Sequence, residues 1–270
     1  MFKLCNDDGL LKILKEIFNA NPIKIPEERI KPLIVFSGKN KKYKYIGEIE
    51  NLLFDTSPIN PDLKDSHMAI LSATKSKSID TKLGIQLMSG FLQGFGAKGI
   101  SLDSFFEGVE KISFSFQNVN RKYVDVGKLC LEFSKRKFNL EHPVIKRFLD
   151  EDEMCIIVDS IIISNNFSIK VDRTSKIDFK FNIPEIQNIL SSSENKISSS
   201  SSSSLDISFE GEKSLAFAFT GFVLNCDEDG SIYFEGEADK MHLTAIPNVE
   251  DTIPPNIDLL ESEFGLLEIE

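Results

Sequence analysis

The alternation of apolar and polar residues predicts β-strands at several places along this chain. In the segment 112–116, which reads ISFSF, every second residue is apolar. Two later segments, 167–171 and 177–183, alternate in the same way on either side of a turn at 173–175, and they predict a two-faced hairpin. A hairpin that packs on a core and a hairpin that faces lipid have the same period, so both interpretations stay open.

Short apolar runs predict further strands. Leu33–Phe36 predicts a short strand, and Cys155–Ile163 predicts an apolar strand with Asp159 inside it. Ser214–Asn225 contains the sequence LAFAFTGFVL, which is apolar enough for a central strand. Leu205–Phe209 predicts a separate strand just before it.

Helical spacing predicts helices in three other regions. Asn6 or Asp7 can cap a helix whose apolar stripe consists of Leu10, Leu11, Leu14, Ile17 and Phe18. Within Ile79–Ile100, apolar residues at steps of four favour a helix, but five glycines each weaken it by about 1 kcal/mol relative to Ala. We therefore expect this region to refold easily. Leu129–Phe148 carries mixed helical signals.

Turn-forming and polar residues separate these elements. Pro22, Pro26 and Pro32 are expected to break the chain before the first strand. The nearly all-serine stretch Ser191–Ser204 predicts a mobile loop. Gly38–Tyr45 carries four lysines and two tyrosines, and it has two interpretations: a solvated hairpin turn, or a patch for anionic lipid headgroups.

The composition indicates a folded, acidic protein. With 270 residues, the chain is long enough for one large domain or two small ones. The net charge of −11 comes without a basic stripe, so we expect no nucleic-acid partner. No apolar run reaches the roughly 18 residues of a spanning helix and no signal peptide opens the sequence, so we expect a protein made soluble in the cytoplasm. Four cysteines without paired spacing predict reduced thiols.

No motif in the sequence predicts an enzyme, a metal site or a bound cofactor. The three histidines lie far apart and no serine lies in a GxSxG motif, although a Cys–His pair assembled by the fold stays open. The glycines at 94, 96 and 99 match a dinucleotide fingerprint, but they follow a helical pattern and not a strand. The segment 225–236 imitates a calcium loop until its twelfth position, which is Gly236, so an Asp-Gly hairpin turn explains it better.

The last 24 residues, Pro247–Glu270, are the most biased part of the sequence. They contain seven carboxylates and no Lys or Arg, so they carry −7 of the net charge of −11. Such a composition is typical of a solvated tail. However, the tail also has large apolar side chains, each of which would stabilise a docked position by about 1.5–3 kcal/mol if buried. The alternative is therefore a tail that masks an apolar surface until a protease releases it.

Taken together, these features resemble a bacterial gasdermin. The resemblance covers most of the chain and depends on the order of features that are individually unspecific. They are Cys5 before a short helix ending near Phe18, the sequence PEERIKPL at 26–33, the small-residue helix around Leu83-Gly84, Phe114-Ser115-Phe116, an acidic stretch leading into Cys155–Ile163, and Phe-Ala-Phe at 217–219.

The resemblance implies an α+β fold: a twisted, mainly antiparallel central sheet with peripheral helices, like a gasdermin N-terminal domain. It implies a pore-forming domain at residues 1–246 and an autoinhibitory tail at 247–270. Members of the family are cut near the C-terminus by an associated protease and assemble in the inner membrane into large pores, which kill the phage-infected cell. Two regions, Ile79–Phe116 and Ile161–Phe209, are expected to refold into membrane-spanning hairpins.

The resemblance also assigns roles to individual residues. Cys5 corresponds to the cysteine that carries palmitate in the family. Lys240 is the last basic residue, so a trypsin-like protease would have to cut there or earlier, whereas a caspase-like protease could use Asp251. The preferred cleavage region comprises Leu243, Thr244, Ala245, Ile246, Pro247, Asn248, Val249, Glu250 and Asp251. The tail residues expected to contact the body are Leu259, Leu260, Phe264, Leu266, Leu267 and Ile269.

A hypothesis from another class explains some of the same features. A cytosolic lipid-binding or adaptor domain could use the acidic, apolar tail to bind a partner, without forming pores. The two hypotheses predict different effects of removing the tail, because only a masked pore former would then permeabilise membranes.

Overall fold

A computed structural model describes residues 20–39, 42–69, 89–90, 111–151, 153–172, 196–201 and 205–234. Within these ranges, ten strands form one sheet, and two α-helices with described bounds and a 3-10 helix (Ile49–Leu52) accompany it. Ala69, Ser89 and Gly90 are also helical. The helices are α1 (Val126–Phe133) and α2 (Pro143–Glu151). The strands are β1 (Asn21–Glu27), β2 (Ile34–Lys39), β3 (Lys42–Glu48), β4 (Lys64–His67), β5 (Lys111–Gln117), β6 (Asn120–Tyr123), β7 (Met154–Asp172), β8 (Lys196–Ser201), β9 (Leu205–Cys226) and β10 (Ile232–Phe234).

Two long strands organise the sheet. β7 has 19 residues and β9 has 22, several times the usual length of about 5–6 residues. The central order is β1-β9-β7-β2-β3, and every one of these pairings is antiparallel. β10 and β8 also pair with β9, β5 and β6 pair with β7, and β4 pairs with β6. Six of the other eight described strands therefore pair directly with β7 or with β9.

The core lies on both faces of the first half of β7. Cys155 and Ile157 belong to one buried cluster, whereas Ile156 and Val158 belong to a second. This division follows from the period of a strand, since successive side chains point to opposite faces. The helices cover the first cluster, to which they contribute Leu129, Phe133, Ile145 and Phe148. The Asp125 side chain caps α1 by accepting a hydrogen bond from the Lys128 N–H at 3.3 Å.

Several sequence predictions are confirmed. The α+β class is correct, and strands occur at the predicted positions 33–36, 112–116, 155–163 and 214–225 with shifted ends. The mixed signals at 129–148 correspond to α1 and α2. Of the segment Gly38–Tyr45, residues 38–39 belong to β2 and residues 42–45 to its antiparallel partner β3, in which Tyr43 is buried and Lys44 is exposed. The lipid interpretation of that segment stays a prediction.

The prediction that Pro22 and Pro26 break the chain is wrong, because both residues lie in β1. β1 is the end strand of the central order and pairs with β9 alone among the described strands. Proline lacks an N–H and is tolerated at such an edge, where one side of the strand needs no pairing. The register also shifts between Pro22 and Glu27, so the second proline lies at an irregularity.

Two predictions about the third quarter of the chain are also corrected. Leu205–Phe209 and Ser214–Asn225 are parts of one strand, β9, with an irregular section between them. The serine-rich stretch predicted as a mobile loop contains β8, whose six residues pair with β9. A serine-rich segment has no apolar period of its own, so periodicity does not predict a strand there.

The calcium-like segment is a hairpin turn, as predicted, between β9 and β10. Asp227 N–H donates to the Ser231 carbonyl oxygen at 3.0 Å, and Gly230 has a φ of 83°, which favours glycine. The Asp229 carboxylate accepts from Lys137 Nζ at 2.6 Å, and this contact holds the pKa of Asp229 well below its usual range.

Other predictions fall outside the described residues. They include the helix near Phe18, the second segment of the 167–183 hairpin and most of Ile79–Ile100. In that last region Ser89 and Gly90 are described, and both are helical.

Candidate functional site

The second halves of β7 and β9 form a distinct four-stranded unit, which we call the outer sheet. It consists of β5, residues 166–172 of β7, residues 205–210 of β9, and β8, in the spatial order β5-β7-β9-β8. Residues 154–164 of β7 and the strands that pair with them form what we call the inner sheet. There β7 pairs with β2 on one side and with β9 on the other. The two sheets share both long strands, so they are covalently continuous.

Residues that face one another across the outer sheet form rows of like character. Three rows are polar: Gln117, Asn166, Glu210 and Lys196; Ser115, Ser168, Ser208 and Ser198; and Ser113, Lys170, Asp206 and Ser200. The three alternate rows are mostly apolar: Phe116, Phe167, Phe209 and Ile197; Phe114, Ile169, Ile207 and Ser199; and Ile112, Val171, Leu205 and Ser201. Because successive rows lie on opposite faces, the outer sheet has one polar and one apolar face.

The described side chains agree with this division. Phe114, Phe116 and Phe167 are each 1% exposed, whereas Gln117 and Lys170 are exposed. The ring of Phe116 stacks on that of Phe217 with 4.4 Å between centroids. On the polar face, the Ser115 and Ser168 hydroxyl oxygens lie 2.5 Å apart. These three rings of the apolar rows are therefore shielded from water.

Charged residues of the outer sheet stand in register with residues of opposite charge. Lys111 pairs with Asp172, Lys170 with Asp206, and Lys196 with Glu210. An opposite-charge pair across two strands contributes about 0.2–1 kcal/mol, and a like-charge pair destabilises. A shift of one residue in any of these pairings would also exchange polar and apolar faces, so the charges and the period select the same register.

An irregular junction separates the outer from the inner sheet. Ser164 pairs with Leu215 and Asn166 pairs with Glu210, so Asn165 alone stands opposite residues 211–214. The Asn165 side-chain amide donates to the Gly211 carbonyl oxygen at 3.0 Å, and the Ser164 hydroxyl accepts from the Asn166 N–H at 3.1 Å. Extra residues of this kind bend a strand and increase its twist. The outer sheet can therefore take a direction different from that of the inner sheet.

A buried polar network lies within the inner sheet, where β7 changes its neighbour from β2 to β6. Asp159 is an unpaired extra residue there, between the pairs Val158–Gly221 and Ser160–Thr220. The network runs from a cation to a carboxylate: Arg121 Nε donates to Ser160 Oγ at 3.0 Å, the Ser160 and Thr220 hydroxyl oxygens lie 2.8 Å apart, and Thr220 Oγ1 donates to Asp159 Oδ1 at 2.7 Å. Burial raises the pKa of Asp159, and the Thr220 hydroxyl and Arg121 oppose that effect.

The two regions expected to enter a membrane meet at one end of the outer sheet. β5 begins at Lys111, directly after the segment 91–110, and β7 ends at Asp172, directly before the segment 173–195. Lys111 and Asp172 are themselves paired. The segments 91–110 and 173–195 lie outside the described residues, but the positions from which they extend are neighbours.

The residues that the resemblance singled out lie outside the described ranges. These are Cys5, the cleavage region at 243–251 and the tail contacts between Leu259 and Ile269, so their roles stay predictions. The other three cysteines are described and free. Burial raises the pKa of the Cys130 thiol to about 11 and that of Cys155 to about 12, and it also raises the pKa of Cys226. These thiols are therefore poor nucleophiles.

The described part of the chain offers no centre for metal chemistry, since no three His, Cys, Asp or Glu side chains there converge on one point. Within the same ranges, no helix has the length and apolar composition needed to cross a membrane.

Sequence reasoning missed two features of this site. It identified Asp159 inside an apolar run, but its partners Arg121 and Thr220 are distant in sequence and carry no shared motif. It also missed β8 and the rows that β8 extends. The shared opening Lys-Ile-Ser of β5 and β8, at 111–113 and 196–198, was the available signal, since it repeats the start of a recognised strand.

Comparison with known proteins agrees with this architecture. The model of the Bacterial Gasdermin Family matches residues 23–231. The chain is 23% identical over 268 residues to Gasdermin bGSDM of Vitiosangium sp. (strain GDMCC 1.1324), covering 99% of this chain and 98% of that protein. It is 28% identical over 215 residues to Gasdermin bGSDM of a Desulfuromonadales bacterium, covering 78% and 79%. The structure of a bacterial gasdermin from Bradyrhizobium tropiciagri superposes with a TM-score of 0.59 at 15% identity, over 85% of this chain and 92% of that one, and shows the same fold.

Proposed function

Because the chain belongs to the bacterial gasdermin family, we propose that it is an autoinhibited pore-forming protein, activated when its C-terminal tail is removed. The observation that supports this proposal most directly is the two-faced outer sheet. It has an apolar face that is suited to lipid and a polar face that is suited to water, and nearly all of it lies within the two candidate membrane regions, Ile79–Phe116 and Ile161–Phe209.

Extension of the outer sheet is the step that would produce membrane-spanning strands. In β7 the apolar rows contain the odd-numbered residues Phe167, Ile169 and Val171, and the sequence continues this parity at Ile177, Phe179, Phe181 and Ile183. A strand that crosses the hydrocarbon layer needs about 9–11 residues. Once the predicted turn at 173–175 straightens, an extended β7 would exceed that length, with an apolar face that is interrupted at Arg173 and Ser175.

The chemistry of the backbone in lipid requires several copies of the chain to assemble into a ring. Every N–H and C=O group that enters the hydrocarbon layer must be paired, so the edge strands of one copy have to pair with those of the next. A closed ring satisfies this requirement, and it surrounds a pore lined by the polar rows.

The tail supplies the inhibition in this proposal. We assign residues 1–246 to the pore-forming domain and 247–270 to the tail, whose apolar side chains would stabilise the closed form by ~5–10 kcal/mol gross, before ordering entropy is subtracted. A protease, caspase-like or of another class, would cut within 243–251. The cut makes the tail a separate molecule, and a favourable intramolecular contact becomes a weak bimolecular one.

Lipid attachment and location complete the proposal. A palmitoyl chain on Cys5 would hold the active protein at the inner membrane, while the uncut protein stays in the cytoplasm. The partners are then the protease, membrane lipids and further copies of this chain, with no enzymatic step by the chain itself. Killing of phage-infected cells is the biological role that we propose for the pores.

Dye release from liposomes of bacterial-like lipid tests the proposal. Full-length protein is compared with protein cut at an engineered site between Leu243 and Thr252. We expect release only after cutting. If the cut protein released nothing, even with Cys5 acylated, the pore-forming function would be wrong and the adaptor hypothesis would replace it.

Tail contacts can be tested without a protease. Phe264→Asp or Leu260→Asp places a charge where an apolar contact is proposed, so the uncut variant should release dye. Leu259→Met, which keeps an apolar side chain, is the matched control and should stay silent. A folded Phe264→Asp variant without activity would count against masking by the tail.

A further inference from the structure

At the irregular junction, β9 contains more chain than its pairing with β7 uses. From Ser164 to Asn166, β7 advances by two residues. Their partners in β9, Leu215 and Glu210, are five residues apart, so β9 has three extra residues there. We call residues 211–214 the excursion. The first of these four residues is buried and the other three are exposed.

A side-chain hydrogen bond and a surface ion pair hold the excursion. The Asn165 amide donates to the Gly211 carbonyl oxygen at 3.0 Å, and Lys213 Nζ lies 2.9 Å from Glu28 Oε2. The side chains of Lys213 and Glu28 are 70% and 58% exposed, and water screens such a pair. Straightening the excursion would therefore cost Asn165 and Lys213 only modest interactions.

The neighbour of β7 on the other side has a constant register across the same junction. Gln117 of β5 pairs with Asn166, and Asn120 of β6 pairs with Ile163. Three residues separate these two pairs on both strands, so no extra residue is inserted. A change at the junction can therefore involve β9 while β5, β6 and β7 keep their pairing.

The alternation of the rows limits how far β9 can slip along β7 to absorb the excursion. A slip by an odd number of residues would place polar residues opposite apolar ones. A slip by two residues would bring Asp172 opposite Asp206, and like charges repel. A slip by four residues keeps the alternation except at Lys213, and it brings Lys170 opposite Glu210. Lys213 would then lie at the end of the ladder next to the inner sheet, where a long basic side chain can reach water.

The slip by four residues gives the ladder the length that a membrane requires. In the observed register, residues 166–171 of β7 pair with residues 205–210 of β9, which makes six rows. After the slip, residues 205–214 would stand opposite residues 166–175, which makes ten rows. A strand that crosses the hydrocarbon layer needs about 9–11 residues. The excursion supplies the missing length.

We propose that residues 205–214 of β9 have two registers on β7: the observed register in the closed protein, and a register shifted by four residues in the membrane. Phe167, which is 1% exposed and is paired with Phe209, favours the observed register, because the slip would bring it opposite Lys213. The inference rests on the proposed function, since only a strand in lipid has to pair its backbone groups without interruption over this length.

Two pairs of cysteines distinguish the registers. The positions in Lys170→Cys/Asp206→Cys are paired in the observed register, and those in Lys170→Cys/Glu210→Cys are paired only after the slip. At about 3.3 Å per residue, the second pair is displaced by about 13 Å along the strands in the observed register. A disulfide needs Cα atoms within about 7 Å, so the second link cannot form there.

The matched control is Ser115→Cys/Ser168→Cys, which links β5 to β7. Because that register is constant, the control link should close in every state. Oxidised glutathione closes the links, and mass spectrometry of the digested protein identifies which cysteines are joined.

Each variant is oxidised as uncut full-length protein, and again on the liposomes described above after cutting at the engineered site. We expect the 170–206 link in the uncut protein and the 170–210 link only in the cut, membrane-bound protein. A 170–206 link that is closed before cutting should abolish dye release until reduction restores it.

The outcomes separate the slip from the proposed function. If the cut protein released dye and closed the control link but not the 170–210 link, the slip would be overturned and the pore-forming function would stand. A 170–210 link in the uncut protein would also overturn it, since the closed protein would then not keep the observed register. If the reduced variants released no dye after cutting, the proposed function would be wrong and the slip with it.

Discussion

From Cys155 to Ser164, strand β7 is buried on both faces, whereas further along the same strand Phe167 is buried, Ser168 is half-buried and Lys170 is exposed. The inner sheet lies between two apolar clusters, and the outer sheet alternates polar and apolar rows of residues. The difference shows that one pair of strands carries both an anchor, which is the inner sheet, and a segment whose residues alternate in polarity. The irregular junction at Asn165 separates the two.

The largest expected effect tests the anchor. Phe222→Ala removes a ring that is 1% exposed and lies 5.0 Å from the ring of Phe234. We expect the free energy of unfolding to fall by about 3–5 kcal/mol, since a buried aromatic side chain is lost and a cavity remains. Urea denaturation measures the change. Lys170→Ala, on the polar face of the outer sheet, is the control, and an equal loss there would remove the distinction between the two sheets.

A smaller effect is expected at the buried network near the boundary. Asp159→Ala takes the acceptor away from Thr220 Oγ1, and we expect a loss of about 1–3 kcal/mol in the free energy of unfolding. Thermal unfolding at fixed pH measures it. Stability equal to that of the wild type would show that the network is not part of the anchor.

The same residue makes a prediction about pH. Because burial raises the pKa of Asp159 above the ordinary 3.8, the folded protein binds a proton more readily than the unfolded chain. The stability that this carboxyl contributes is then fully present below pH 3.8 and is lost as the pH rises through the raised pKa. Asp159→Asn cannot ionise, so its stability relative to wild type should increase from acidic to neutral pH. A difference that does not change with pH would contradict a raised pKa.

The smallest predicted effect on stability concerns a pair of charged residues in the outer sheet. Lys170→Glu places a negative residue opposite Asp206. We expect a loss of about 0.2–1 kcal/mol, because like charges across a strand pair repel. The double variant Lys170→Glu/Asp206→Lys restores opposite charges and should recover most of the loss in the same urea titration. Failure of the second change to compensate would mean that the two side chains do not interact.

Local patterns predicted much of the inner sheet and one strand of the outer sheet. Cys155–Ile163 and Ser214–Asn225 are apolar on both faces because they lie in the middle of the sheet, and ISFSF alternates because β5 has two faces. These signals depend on the environment of a single strand, so a single strand reveals them. The turn at Asp229-Gly230 was predictable for the same reason, since its glycine is required by the local backbone.

The errors arose where a neighbouring strand decides the outcome. Pro22 and Pro26 are read as chain breakers until β1 is known to be an edge, and the serine run is read as a loop until β9 is seen to pair with it. Asp159 is conspicuous in the sequence, but the hydroxyl chain that links it to Arg121 exists only because β6, β7 and β9 are adjacent.

The sequence by itself determined which segments form two-faced strands and which form fully buried strands. Both follow from the period of the side chains, which is a local property of a strand. Only the tertiary structure decided which strands pair, in what register, and which edges are covered. Backbone hydrogen bonds between strands form almost independently of residue type. Which strands become partners, as β8 and β9 do, is therefore decided when the whole sheet assembles. That is why the polar and apolar rows became visible only when residues from four separate strands were placed side by side.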